Sequence, residues 1–530
     1  MHIPLTPIRC LYRGMDLYGQ KMGVISGERR YTYAQFGERC ERLAAGLHSQ
    51  GIGPGDRVAY LSFNTNQLLE GYYGAPLIRA IVMPLNVRLA RDEMIEILNH
   101  AEPRMLIFEN DFAPLIQAFR KVCPSIARYV AADEHMPEAD IPFGELLTRG
   151  RIERPDLLSF EENEIAEVFY TSGSTGHPKG VMLSHRTLYL HALNALASIP
   201  GSDNDVELHT IPLFHANGWG KAHTTTMSGV TQVMIRRFEP AHVLRLIEEE
   251  RVTTMSLVPV MANSLLNCPE LGRFNTASLR EIHLGGAASS PELIGRMEQA
   301  FGCSVLVGYG LTETAPIVTT SRKKGTVHYA SESSRLFRTA MAGWPVAGTE
   351  IRVVDSHMND VPRDCEAVGE VVVRSDNVME GYYREPEATR AAMSDGWFHT
   401  GDMAMWDQEN YIHIVDRKKD IIISGGENIS SIEVEKAIFA HPAVLECAVV
   451  AAPDAKWGEV PAAIVVLKPG KELDREELVE FLCGRVAKFK MPQIIQFAEG
   501  PLPKTGTGKI LKRDLREAFW RGKERRVQGG

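Results

Sequence analysis

Residues 170–180 read Tyr-Thr-Ser-Gly-Ser-Thr-Gly-His-Pro-Lys-Gly, after the largely apolar run 166–169 and before Val181-Met182-Leu183. Thr171, Ser172, Ser174 and Thr175 bring hydroxyls, and Lys179 brings a positive charge. Gly173, Gly176 and Gly180 let backbone N–H groups approach an anion. Leaving a buried strand, such a loop has the chemistry of a polyphosphate cradle. It is not a Walker A loop, because G-x-x-x-x-G-K-[ST] is not matched in order. The plainer reading, a flexible surface turn, does not explain why Gly, Ser/Thr and Lys gather here.

Six further stretches follow in order. Pro212-Leu213-Phe214-His215-Ala216-Asn217-Gly218-Trp219 holds a histidine that, alone, would read as a satisfied structural residue. Gly285-Gly286-Ala287-Ala288 follows a strand, and its small residues would let a flat purine lie against the backbone. Gly308-Tyr309-Gly310-Leu311-Thr312-Glu313 is another strand-end turn, with an aromatic face suited to a purine and a hard carboxylate suited to a hard cation. Thr400-Gly401-Asp402 offers a carboxylate able to accept from two hydroxyls at once. Asp416-Arg417-Lys418-Lys419-Asp420 would by itself be a solvated linker. Pro503-Lys504-Thr505-Gly506-Thr507-Gly508-Lys509 would by itself be a basic tail loop.

In this order, over roughly Thr32 to Lys512, the stretches resemble the adenylate-forming superfamily: acyl-CoA synthetases, beetle luciferases and the adenylation domains of peptide synthetases. The resemblance implies that Thr171, Ser172, Gly173, Ser174, Thr175, Gly176 and Lys179 wrap the β- and γ-phosphates of ATP. It implies that Gly286, Ala287, Ala288, Tyr309 and Gly310 hold adenine, and that Thr312 donates to the α-phosphate. Glu313 would help hold Mg²⁺, and Asp402 with Arg417 would hold the ribose. His215 becomes an aromatic gate, and the acyl pocket falls to Trp219, Gly220, Gly285, Gly310, Pro316 and Ile317. Lys509 would offset charge as a carboxylate attacks an anionic phosphorus. Lys419 is the hinge of a small domain whose rotation brings Gly425, Gly426 and Glu427 to coenzyme A for thioester formation. Two positions depart mildly from the family pattern: His177 in the phosphate loop, and Lys419 where many acyl-CoA synthetases carry Asp. The stretch from Ile421 to Ser431 resembles medium-chain, methylthiopropionate and benzoate/cinnamate CoA ligases, which points to a short- to medium-chain fatty acid or a small aryl acid. Trp219 is bulky enough to shorten the pocket. Lys221 and His223 either line that pocket or face solvent.

Short apolar runs alternating with helical patterns must position these turns, which reads as α/β. The expected fold is a large, multi-subdomain N-terminal adenylate-forming domain (1–418) and a small mobile α+β C-terminal domain (419–530). A helix should start at a Thr32-x-x-Gln35 capping box and stop at Gly51. Buried strands are expected at 58–61, Met105–Phe108, 255–258, Glu281–Leu284 and 305–307, with alternating strands at 350–354 and 370–374. Helix starts at Ser430 and Asp474 open elements of the C-terminal segment. In open α/β sheets, ligands bind where strands end.

With 530 residues, 44% hydrophobic and 24% charged, the chain reads as a soluble protein of more than one domain. Its net charge of −9 gives no support to nucleic-acid binding. The eight cysteines form no C-x-x-C pair, so neither a zinc site nor a disulfide framework is expected. No secretory start, membrane span or C-terminal address is apparent, so a cytoplasmic enzyme is expected. Its partners would be a small carboxylic acid, ATP and CoA; homo-oligomerisation is left open. Competing readings are an adenylation enzyme loading a separate carrier protein, a luciferase-like oxygenase, and a nucleotide-binding regulator. The last would not need the hinge or Lys509.

Overall fold

The computed structural model describes residues 2–133, 136–172, 177–425, 427–504 and 510–521, and leaves the side chains of Ser172 and Asn428 undescribed. The chain packs as two units. One comprises the residues up to Ile351 with Val373–Phe398; the other comprises Arg352–Val372 with the residues from His399 on. Lys419 lies within the second, just after strand Ile412–Arg417.

Two sheets carry the first unit. One runs Gly381–Tyr382, Pro178–Ser184, Ile165–Ser172, Ile81–Pro84, Arg57–Leu61, Met105–Phe108, Arg128–Ala131, Ile141–Pro142. Its inner strands pair in parallel, and Ile81–Pro84 and Met105–Phe108 are buried throughout. Covered on both faces, such strands read as unbroken apolar runs, which is why they are visible in the sequence. Helices Arg91–Ala101 and Ala113–Val122 bury Met94, Ile97, Leu98, Ile116 and Phe119 in this core. The second sheet runs Trp344–Pro345, Ile317–Thr320, Ser304–Gly310, Glu281–Leu284, Thr254–Leu257, Val206–His209, Thr231–Met234, Met22–Ser26, Arg29–Thr32. It is parallel in its middle and antiparallel at both edges. Helices Pro240–Glu249 and Pro291–Phe301 pack Val243, Leu244, Ile247, Leu293, Ile294 and Met297 onto it.

The expected helix is Tyr33–Ser49, with both bonds of the Thr32/Gln35 capping box made. Strands Met105–Phe108 and Glu281–Leu284 match the expected bounds. The strand expected at 255–258 is Thr254–Leu257, because Val258 caps a helix that Pro259 begins. The run at 305–307 extends to Ser304–Gly310, since antiparallel pairing with Ile317–Thr320 carries it onward. Both flanks of the phosphate segment, Ile165–Ser172 and Pro178–Ser184, pair antiparallel with each other, so a second strand follows the expected one.

In the second unit, strand Ile412–Arg417 pairs antiparallel with the strand ending at Trp406. A separate sheet runs Glu427–Ile429, Ile422–Ser424, Gly458–Leu467, Val444–Asp454, with Ile494–Phe497 parallel to Gly458–Leu467. One face buries Val434, Ile438, Leu478 and Leu482 from helices Ser431–Phe439 and Arg475–Leu482. The other meets Leu515 and Phe519 of helix Lys512–Trp520. Ser430 and Asp474 cap their helices as expected. Among the described residues no helix is long and apolar enough to cross a membrane, and no disulfide forms.

Candidate active site

The phosphate hairpin pairs Thr171 with Lys179 and Ser172 with Pro178. Gly173, Ser174, Thr175 and Gly176, the expected cradle, lie outside the described residues. At the hairpin base, the Lys179 Nζ sits 4.8 Å from the centroid of the Tyr382 ring. Tyr382 is delivered by the short strand Gly381–Tyr382, which pairs with Val181 and Met182. Its hydroxyl donates to Glu313 Oε1 at 3.0 Å. The Glu313 carbonyl accepts from the Met379 amide at 2.8 Å, fixing the same approach from the backbone. Lys179 and Glu313 were expected; Tyr382 was not. It lies 69 residues from Glu313, and only strand pairing brings it there.

Tyr309 pairs with Thr319, and Gly310 with Ile317, across the turn that holds Thr312 and Glu313. A Cβ on Gly310 would stand 1.8 Å from the Pro316 carbonyl oxygen, so only glycine closes this turn. Thr314 ties it: the Leu311 amide donates to its hydroxyl at 3.1 Å, and that hydroxyl reaches the Pro316 carbonyl at 2.6 Å. Thr312 is buried. Ala287 and Ala288 are exposed beyond Gly286, whose φ of +75° needs no side-chain relief in glycine.

On the acyl side, residues 216–220 form a run of left-handed backbone. The φ values are 43° at Ala216, 44° at Asn217, 67° at Gly218, 63° at Trp219 and 78° at Gly220. Ala216 and Trp219 each cost about 1–2 kcal/mol there, and Asn217 less, so the surroundings must hold the turn. Glu167, fully buried in strand Ile165–Ser172, accepts from Asn217 Nδ2 at 2.7 Å, and its other oxygen lies 2.7 Å from His223 Nε2. His223 Nδ1 is 3.2 Å from the Tyr73 hydroxyl. A Cβ on Gly220 would come within 2.2 Å of the His191 ring, and His191 Nε2 accepts from the Ile317 amide at 3.2 Å. Burial pushes His191 down to about 3, so its ring is neutral and free to accept. Trp219 lays its indole against Gly285 and Gly286, where added Cβ atoms would meet it at 3.1 and 3.2 Å. Trp219, Gly220, Gly285, Gly310, Pro316 and Ile317 thus sit together, and His215 precedes the turn, its carbonyl accepting from the Gly218 amide at 3.1 Å. His223 does not face solvent, and Lys221 is partly buried. His223 is buried in the Glu167 network, and Lys221 lies 3.1 Å from Glu207 and 3.3 Å from His283.

In the second unit, Asp402 is buried opposite Arg417, whose Nε lies 2.6 Å from its Oδ1. The Thr400 hydroxyl accepts from the Asp402 amide at 3.0 Å and donates to the Val371 carbonyl at 2.7 Å. The Lys419 carbonyl accepts from Arg516, and burial holds its ammonium below the usual lysine range. Neighbouring Asp416 accepts from the amide and hydroxyl of Ser431, each at 2.6 Å. Gly425, at φ 60°, packs against the Trp457 ring, and Glu427 is exposed at the start of its strand. Gly426 and Lys509 lie outside the described residues.

The family profile of the AMP-binding enzymes matches residues 13–383, and that of their C-terminal domain matches residues 433–509. A long-chain-fatty-acid–CoA ligase of Thermus thermophilus is 40% identical, the alignment covering 96% of this chain and 94% of that protein. A peroxisomal butyrate–CoA ligase of Arabidopsis thaliana is 35% identical, over 97% and 93%. The crystal structure of an anthranilate CoA ligase in complex with anthranoyl-AMP superposes with a TM-score of 0.88 at 25% identity, covering 98% of each chain. The chain belongs to the AMP-binding enzymes, as an adenylate-forming acyl-CoA synthetase.

Proposed function

We propose that this acyl-CoA synthetase acts on a short- to medium-chain or small aryl carboxylic acid, with ATP and CoA as co-substrates. The observation that carries the proposal is the joining of two sites by one strand. Ile165–Ser172 leads into the phosphate hairpin, and through Glu167 it also holds the turn that presents His215 and Trp219. An acyl-adenylate needs its phosphate and carboxylate partners locked this way, because two anions must meet and positioning with charge neutralisation supplies most of the catalysis. The indole against Gly285 and Gly286 favours a short pocket. The relatives named above act, by their names, on long-chain, butyrate and anthranilate substrates, so chain length is a property of each pocket.

The roles follow the chemistry of each group. Lys179 with Thr171, Ser172, Gly173, Ser174, Thr175 and Gly176 would bind the β- and γ-phosphates, and Thr312 would donate to the α-phosphate. Tyr309, Gly310, Gly286, Ala287 and Ala288 would receive adenine, and Asp402 with Arg417 the ribose. Among the described residues no three His, Cys, Asp or Glu side chains form a cage for a metal. Glu313 alone suits Mg²⁺, which commonly takes one or two carboxylates and completes its shell with substrate phosphates and water. Bound there, Mg²⁺ would screen phosphate charge; Tyr382 would orient the carboxylate. Lys509 would neutralise charge during adenylation. Rearrangement of the small domain about Lys419 would then let Gly425, Gly426 and Glu427 take part in thioester formation. A cytoplasmic location belongs to the same proposal, because that pool supplies ATP and CoA.

The test is AMP and pyrophosphate release from MgATP with acetate through laurate, benzoate, cinnamate and 3-methylthiopropionate, with and without CoA. Multiple-turnover AMP release requiring one acid and CoA is the expected result. Pyrophosphate exchange that CoA does not accelerate would point to a carrier protein as acceptor.

A further inference from the structure

Strand Glu281–Leu284 continues its ladder into Gly285, whose amide donates to the Leu257 carbonyl at 3.1 Å. Glu281, His283 and Gly285 therefore project to one face. Trp219 covers that face at Gly285. Lys221, two residues further along the same segment, covers it at His283: its Nζ lies 3.3 Å from Nδ1. The row behind the indole is thus polar and charged. Lys221 pairs with buried Glu207 at 3.1 Å, Thr254 donates to Glu207 at 2.6 Å, and His283 Nε2 lies 2.7 Å from Glu281. Burial works to raise the Glu207 carboxyl, but Lys221 beside it holds it below the usual range. Glu281 is held down likewise against its burial, first by His283. Both are carboxylates.

An apolar acyl tail reaching this row gains nothing from it, since stripping water from ion pairs is costly. A polar terminus can gain. For Nδ1 to receive a Lys221 N–H, His283 must carry its proton on Nε2 and donate to Glu281, which leaves one cation and two carboxylates. That excess of negative charge opposes a second carboxylate on the acid. A neutral hydroxyl fits: it can accept from the ammonium, which has three donors, and donate to a carboxylate. We propose that Lys221, with His283, recognises a hydroxyl at the far end of the acid, so that the preferred substrates are hydroxyalkanoic or hydroxylated aryl acids. This rests on the assignment of the acyl pocket made above.

The test compares kcat/KM, by CoA-dependent AMP release, within matched pairs: butyrate and 4-hydroxybutyrate, hexanoate and 6-hydroxyhexanoate, cinnamate and 4-hydroxycinnamate. Adipate supplies the dicarboxylate arm. The expected result is a preference of about tenfold or more for the hydroxylated member of at least one pair, the size of one hydrogen bond to a charged group, with adipate poorer than 6-hydroxyhexanoate. The double variant Lys221→Met/Glu207→Leu removes both ion-pair partners, avoiding the buried orphan that Lys221→Met alone would leave. It should reverse the preference. Equal kcat/KM within every pair, or a preference surviving in the double variant, would overturn the proposal. The parent ratios decide alone if that variant does not fold. No turnover with any of these acids would instead overturn the short-acid pocket proposed above, and this inference with it.

Discussion

Tyr382 holds two site residues at once. Its ring lies under the Lys179 ammonium and its hydroxyl donates to Glu313. Tyr382→Phe keeps the first contact and removes the second, leaving the carboxylate without its orienting donor. A hydrogen bond to a charged acceptor is worth about 1.5–3 kcal/mol, so kcat/KM for MgATP should fall about tenfold or more, with the loss appearing in KM and in its Mg²⁺ dependence. Pyrophosphate exchange at varied ATP and Mg²⁺ measures this; an unchanged profile would show that Glu313 does not depend on Tyr382. Lys179 and Glu313 stand in stretches whose composition already suggests phosphate and metal chemistry. Tyr382 stands in Gly381-Tyr382-Tyr383, where nothing local separates it from a packing residue. Its role arises from a β-pairing that joins distant parts of the chain, and such pairings are not written in local composition.

Among the elements, legibility follows locality in the same way. The capping boxes at Thr32 and Asp474 involve residues three apart, and strands buried on both faces advertise themselves as apolar runs. The hairpin at 165–184 and the left-handed turn at 216–220 do not. Asn217-Gly218 hints at a left-handed turn, but Ala216 and Trp219 carry no sign of positive φ, because the turn is imposed from outside by Glu167 and His191. Strained backbone persists where its surroundings over-determine it. Glu167→Ala would leave Asn217 and His223 without their shared carboxylate and release the turn. Leaving a buried polar group without its hydrogen-bond partner costs about 1–3 kcal/mol. Stability should drop by that order, and KM for the acid should rise far more than KM for ATP, with acid selectivity broadened. Glu167→Gln keeps an acceptor for Asn217 and should restore much of the selectivity. If both variants shift the two KM values in parallel, Glu167 serves the fold alone.

At the scale of the whole molecule, the two half-reactions should separate by mutation. Glu427 is exposed at the start of strand Glu427–Ile429. Glu427→Gln should slow thioester formation several-fold and leave pyrophosphate exchange intact; equal loss of both steps would remove Glu427 from the thiol half. Stability offers a test that does not depend on activity. Burial pushes His191 down to about 3 and His185 and His209 to about 4, each against an ordinary value of 6.5. The unfolded chain therefore binds protons at these sites below about pH 6.5, while the folded chain does not until pH 3 to 4. Where the unfolded state holds more protons, stability falls as pH falls. Each such histidine should cost about 2 kcal/mol between pH 7.5 and pH 5, from 1.36 kcal/mol per pH unit below the unfolded value. Buried Glu70 and Glu435, whose carboxyls burial raises, act in the opposite sense, so the cleanest reading is a difference between variants. His191→Gln keeps an uncharged acceptor for the Ile317 amide and cannot take up the proton. Whatever it costs at pH 7.5, it should lose about 2 kcal/mol less than the parent on going to pH 5, as measured by urea unfolding. Parallel losses in the two proteins would mean that His191 is not held neutral against Gly220, and that the rigidity of the Trp219 turn has another source.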